Sequence, residues 1–226
     1  MEDTLSDLTT RIQRLHSLSP SRQLLIGIAG PPGSGKSTLA TALALRLSRT
    51  LPSAVLSLDG FHLPRAALAA LPDPATAFAR RGAPWTFDVP ALLEFVKRLK
   101  INADLPTRER EVVRAPGFDH AVKDPVQDEV IIPAETAVVI LEHLYLLLNE
   151  GGWRDIATVL DIRVMVDVER GVARERVARR HVEAGIEESL ELGRARYDAN
   201  DALNGELIRE KVVGWDILVQ SRDAEV

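Results

Sequence analysis

Apolar residues recur along the chain with two periods, and the two alternate. Leu5, Leu8, Ile12 and Leu15 fall at helical spacing and predict an amphipathic N-terminal helix. Leu24 to Ala29 is a short, unbroken apolar run of buried-strand type. It is followed by Leu39, Ala42, Leu43 and Leu47, one face of a second helix. Ala54–Leu58, Ala137–Leu141, Val159–Val168 and Ile217–Val219 predict further strands. Val89, Leu92, Leu93, Val96 and Leu99 predict a helix capped by Asp88, and Glu169 to Arg180 predicts another. Glu183 to Ile208 reads as helix with a break near Asp198–Asp201. Residues 64–87 are irregular with short helical pieces, and residues 101–128 are polar and turn-rich. Glu111–Arg114 and Asp128–Pro133 are candidate short strands. Strands alternating with helices predict an α/β fold with a mainly parallel five-stranded sheet flanked by helices. No linker separates two domains. Residues 1–226 are expected to form one domain, with an inserted region near 60–130 and a lid near 169–185.

Composition narrows the function. Hydrophobic residues make up 46% of the 226 and charged residues 27%, enough for a sizeable core. The net charge of −5 gives no electrostatic reason to expect a nucleic-acid partner. Absence of cysteine excludes disulfides, cysteine–zinc sites and thiol nucleophiles. No apolar stretch reaches the ~20 residues of a membrane span. Glu2, Asp3 and Asp7 disfavour a targeting segment, so no membrane association and a cytoplasmic location are expected.

The chemistry-bearing stretch is Gly30-Pro31-Pro32-Gly33-Ser34-Gly35-Lys36-Ser37-Thr38, between the first predicted strand and its helix. It fits G-x-x-x-x-G-K-[ST] and defines a P-loop NTPase fold. Glycines let successive backbone N–H groups turn inward around phosphates at a helix N-terminus. Lys36 would add a point charge near the β- and γ-phosphates, and Ser37 a hydroxyl ligand for Mg²⁺.

Other candidates follow. Asp59 closes the second strand, on the sheet edge where open α/β folds bind ligands. It suits either a general base or a turn residue. Glu142 closes the apolar run Ala137–Leu141, the pattern of a Mg²⁺-associated acid. Phe118-Asp119-His120 suits either hydrogen bonds to a polyol or a solvated loop. Arg170, Arg174, Arg176, Arg179 and Arg180 make one helix strongly basic, either facing phosphates or simply solvated.

Together these segments resemble the uridine kinase, phosphoribulokinase and bacterial-type pantothenate kinase superfamily over roughly residues 20 to 210. The resemblance rests on the phosphate loop, Ser57–His62, Arg81–Pro84 with Thr86–Asp88, Phe118–His120 with Asp124-Pro125, the strand ending at Glu142, and Arg179–His181 with Asn200-Asp201. It is strongest to the fructose-transport-kinase-like and fungal kinase-like members. It implies Asp59 as catalytic base, Lys36, Arg176 and Arg180 as phosphate-facing catalytic residues, and Ser37, Glu142 and Asp59 around the metal. It places acceptor contacts at His62, Arg81, Asp88, Asp119, His120 and Tyr145. The implied reaction moves the γ-phosphate of ATP, with Mg²⁺, to a hydroxyl of a nucleoside, pantothenate-like, sugar or glycerate-like metabolite. One position departs from the family pattern: His143 stands where such kinases carry glycine after the Walker-B acid. Crowding by that imidazole would favour the alternative of a regulatory ATP-binding protein or an ATPase with little transfer. No N-K-x-D segment supports a GTPase.

Overall fold

The structure is a computed structural model and describes residues 2–222. Helix α1 (Glu2–Ser17) leads into strand β1 (Leu24–Ala29), the phosphate loop and α2 (Lys36–Leu47). β2 (Ser53–Ser57) ends in a 3₁₀ turn, Leu58–Phe61, followed by the short α3 (Arg65–Ala69) and α4 (Pro74–Ala79) and the long α5 (Val89–Asp104). A hairpin, β3 (Val113–Asp119) and β4 (Asp124–Ile132), precedes β5 (Val138–Glu142), α6 (Gly151–Ala157) and β6 (Ile162–Val168). The chain finishes with α7 (Arg170–Glu183), α8 (Leu190–Arg196), α9 (Ala202–Glu210) and β7 (Ile217–Ser221).

The main sheet has five strands in the order β2-β5-β1-β6-β7, every neighbouring pair parallel. Side chains alternate across it, as a pleated strand requires. Leu24, Ile26 and Ile28 of β1, with Val138 and Ile140 of β5, bury against Leu5, Leu8 and Ile12 of α1 and Leu39, Leu43 and Leu47 of α2. Leu25, Val139 and Leu141 point the other way, into a core with Leu92, Phe95, Val96 and Leu99 of α5 and Trp153 and Ile156 of α6. Two-sided burial explains why these strands read as unbroken apolar runs.

Two expectations change. The candidate short strands at Glu111–Arg114 and Asp128–Pro133 are the outer ends of one antiparallel hairpin, β3 and β4, which extends through the segment expected to be turn-rich and puts Phe118 and Asp119 on a strand. The helix after Ser189 does not break at Asp198–Asp201. It widens there into a π-helical turn, Tyr197–Asp201, and continues as α9. Local polarity suggested a break, but Tyr197 is buried with Val168, Ala173 and Val177, and Arg174 of α7 chelates Asp198. Among the described residues, no helix is long and apolar enough to cross a membrane.

The hairpin packs closely on the turn after β2. A Cβ at Gly60 would lie 2.0 Å from the Pro116 carbonyl oxygen, a backbone atom that cannot swing aside. Gly60→Ala therefore lowers the unfolding free energy by roughly 1–3 kcal/mol, the usual cost of overpacking. An unchanged denaturation midpoint would contradict this packing.

At the other end, the Glu206 carboxylate accepts from Arg170 and Arg209, which ties α9 to α7. Chiefly through its hydrogen bond to Arg170, Glu206 is held down at about 2. Its folded value lies below its unfolded one, so the stabilisation is fully present above pH ~4.5 and is lost as pH falls towards 2. Glu206→Gln should cost about 1 kcal/mol or less at neutral pH, because solvent screens the pair. The difference from wild type should shrink in melts taken below pH 4.5.

Candidate active site

The site follows from strand register. In β1, Ile28 lies level with Glu142 of β5, and Glu142 lies level with Ser57 of β2. Two residues beyond Ile28 the phosphate loop begins, and two beyond Ser57 stands Asp59. The end of β5 is thus flanked by both. Lys36 Nζ lies 3.8 Å from Glu142 Oε1, and the Ser37 hydroxyl lies beside the same carboxylate.

The phosphate loop is built as an anion cradle. Gly33 and Gly35 adopt left-handed φ of 77° and 84°. Gly33 also lies under α7, where an added Cβ would come within 2.7 Å of the Ala173 carbonyl oxygen. Pro31 and Pro32 are buried beneath the loop, while Gly35, Ser37 and Thr38 are exposed. The buried Ser34 hydroxyl has no protein partner. A cleft of about 380 Å³ opens here between Gly33, Lys36, Ser37 and Thr38 on one side and Arg176 and Arg180 of α7 on the other.

The arginines of α7 divide by face. Arg170 and Arg174 are chelated by Glu206 and Asp198, away from the cleft. Arg176 reaches the loop, donating to the Gly33 carbonyl at 3.1 Å and to Ser221 Oγ at 2.9 Å. Arg180 is exposed at the cleft wall. Ser221 and Arg222, at the end of β7, also line the cleft. Sequence reasoning missed them because nothing local marks a residue far along the chain as a neighbour of the loop. Pairing of β7 with β6 brings them there.

Electrostatics distinguish the two acids. Burial raises the pKa of the Glu142 carboxyl; Lys36 pulls it back, and the neighbouring Asp59 charge adds to the rise. The Asp59 side chain is about 40% exposed. Its backbone carbonyl lies 2.8 Å from His62 Nδ1. A hydroxyl beside a single buried carboxylate suits Mg²⁺, which keeps several waters and takes other ligands from phosphate. Among the described residues, no group of three or more His, Cys, Asp or Glu forms a self-sufficient metal cage. The donor set therefore fits a cation that arrives with a nucleotide.

The sequence-predicted acceptor residues separate. His62 packs at a tilt against Phe87 and Phe118, with ring centroids 4.0 and 4.9 Å away. His120 is exposed at the edge of Phe118. Arg81 lies over the Phe118 ring and donates to the Lys123 and Leu63 carbonyls, so much of its guanidinium pins the hairpin tip. Asp88 caps α5 through Ala91 N–H while lining a second cleft with Glu94, Arg98 and Arg114. Asp119 accepts from the N–H groups of Ala121 and Val122, and its carboxylate is committed to the hairpin turn. The expectation for Tyr145 needs correcting. Its ring has no exposure and its hydroxyl donates to the Gly82 carbonyl, so it supports the Arg80–Gly82 segment from beneath.

The expectation that His143 crowds the site also changes. The ring is only 2% exposed. It stacks on Trp153, 4.9 Å away and 2° from parallel, and meets the edge of Phe87. Burial pushes it down to about 3, so it is neutral.

The family model described as the Phosphoribulokinase / Uridine kinase family matches residues 25–199. A Schizosaccharomyces pombe protein, provisionally named uridine kinase C227.14, is 38% identical over 206 residues, covering 90% of this chain and 85% of its own. The ATP-dependent kinase-like protein notR' of Aspergillus versicolor is 45% identical over 175 residues, covering 73% of this chain and 99% of its own. The crystal structure of a Silicibacter sp. TM1040 protein, provisionally assigned as a fructose transport system kinase, superposes with a TM-score of 0.77. It is 31% identical, and the match covers 93% of this chain and 98% of that one. On the phosphate loop, the sheet order and these matches, the chain belongs to the phosphoribulokinase/uridine kinase family of P-loop kinases.

Proposed function

We propose that this protein transfers the γ-phosphate of ATP to a hydroxyl of a small metabolite, with Asp59 as general base. The observation that carries this reading is the gathering of Asp59, Glu142, Lys36 and Ser37 around the end of β5. Asp59 takes the proton of the acceptor hydroxyl as its oxygen bonds to the γ-phosphorus. The bond from that phosphorus to the β–γ bridging oxygen breaks, and ADP leaves with the electron pair. Lys36 and the loop N–H groups carry the charge on the phosphates. Arg176 and Arg180 face the same cleft and stabilise charge that develops in transfer. Ser37 and Glu142 would hold Mg²⁺, which when bound neutralises the β- and γ-phosphate oxygens. Closure of α7 over the nucleotide would exclude water and so favour transfer over hydrolysis.

For the acceptor side we take His62, Arg81, Asp88 and His120 as the candidate contacts. The His143 ring packs against Trp153 and Phe87 and lines neither cleft, which weakens the steric ground for a non-transferring ATP-binding protein. Relatives whose names refer to uridine and to fructose transport make nucleosides and sugars the first acceptors to try. The test is ADP release from ATP or GTP over a panel of nucleosides, sugars, glycerate and pantothenate. One acceptor should raise the rate well above that with water. Tight ATP binding with no acceleration anywhere on the panel would replace this reading with a regulatory ATP-binding one.

Two substitutions probe the roles. Asp59→Asn should leave KM for ATP within a few-fold and lower kcat by about 10²–10⁴, the range for loss of a general base. Unchanged turnover would remove Asp59 from the chemistry. Lys36→Ala should weaken ATP binding or turnover by at least tenfold, read by calorimetry and steady-state rates. Wild-type values for both would rule out the phosphate loop as the nucleotide site.

A further inference from the structure

His143 lies at the same sheet edge and has no part in the chemistry above. Its main-chain N–H donates to Ile28 O at 3.2 Å, which fixes it at the junction of β1 and β5. Its ring is wedged: Trp153 lies flat against it and Phe87 meets it edge-on at 4.6 Å. Nδ1 accepts the Tyr145 N–H at 3.1 Å. A neutral imidazole has one donor and one acceptor nitrogen, so the proton sits on Nε2. Nε2 lies 3.7 Å from Asp59 Oδ1. That separation is slightly longer than a hydrogen bond, and a small rotation of the partly exposed Asp59 closes it. A ring serving only to fill space would be cheaper as a hydrocarbon, because a buried N–H without an acceptor costs free energy.

Asp59 needs such a donor. Its carboxylate neighbours that of Glu142, and like charges side by side repel. Glu142 is held on its own side by the Lys36 ammonium. We propose that His143 is a positioning residue, whose Nε2–H holds Oδ1 of Asp59 and leaves Oδ2 to take the proton of the acceptor hydroxyl. This rests on the reading of Asp59 as base. No proton leaves the imidazole at any step.

The contact is read without nucleotide or acceptor by ¹⁵N-histidine NMR of the full chain. The His143 signals, assigned by their loss in His143→Gln, should show a neutral ring protonated on Nε2. The Nε2–H proton signal should move upfield in Asp59→Ala. A ring protonated on Nδ1, or an Nε2–H signal unmoved by Asp59→Ala, overturns the proposal. Function is read as inorganic phosphate release from Mg·ATP with water as acceptor. His143→Leu should lower kcat at least tenfold with KM for ATP within twofold, and His143→Gln, which keeps an N–H at similar reach, should recover it to within threefold. In an Asp59→Asn background, His143→Leu should have no further effect, which separates positioning from packing. Equal release by wild type and His143→Leu, with Asp59→Asn slow, overturns the role of His143 alone. Full release by Asp59→Asn overturns the base assignment, and the positioning role with it. If His143→Leu does not fold, the NMR comparison decides.

Discussion

Insertion of β5 between β1 and β2 is the contact on which the site depends. Both pairings are parallel, so all three strands end on one edge. Their register sets Glu142 level with Ile28 and Ser57, immediately before the phosphate loop and Asp59. A one-residue slip of β5 would turn Val138 and Ile140 out of the core they share with α1 and α2, and would turn Glu142 to the opposite face. The hydrophobic pattern that makes the strand fold thus also aims its carboxylate.

Around this edge, charge is partitioned by packing. Glu142 is buried and paired with Lys36, while Asp59 stays partly exposed on a short turn beside a neutral imidazole. Arg170 and Arg174 are spent on Glu206 and Asp198, which seat α7 against the helical segment from Tyr197 to Glu210. Arg176 and Arg180 line the cleft beside the phosphate loop, Arg176 donating to the Gly33 carbonyl and to Ser221 Oγ. One strongly basic helix therefore serves two purposes, and its faces decide which arginine serves which.

The segment between β2 and β5 packs around the turn that carries Asp59. Gly60 lets the β3–β4 hairpin lie against the turn that carries Asp59. Phe118 of the hairpin packs at a tilt against His62, and Arg81 lies over the Phe118 ring. Tyr145, from beneath, holds Gly82. Aromatic packing and hydrogen bonds within the chain shape much of what looked in the sequence like a polar binding loop.

The sequence by itself determined the phosphate loop, the strands around it, the amphipathic α1, α2 and α5, and the positions of Asp59 and Glu142 at strand ends. These are local facts: a motif of fixed spacing, apolar runs and helical periods, each legible within about a dozen residues. Tertiary structure decided the hairpin at residues 113–132, the unbroken helical path through Asp198, the approach of Ser221 and Arg222 to the loop, and the burial of Tyr145 and His143. Each of these rests on a partner distant in the chain: Gly60 for the hairpin, Arg174 for Asp198, β6 for Ser221, Trp153 and Phe87 for His143. A polar residue's role depends on which side chain folding places against it, and spacing along one strand or helix carries no record of that partner.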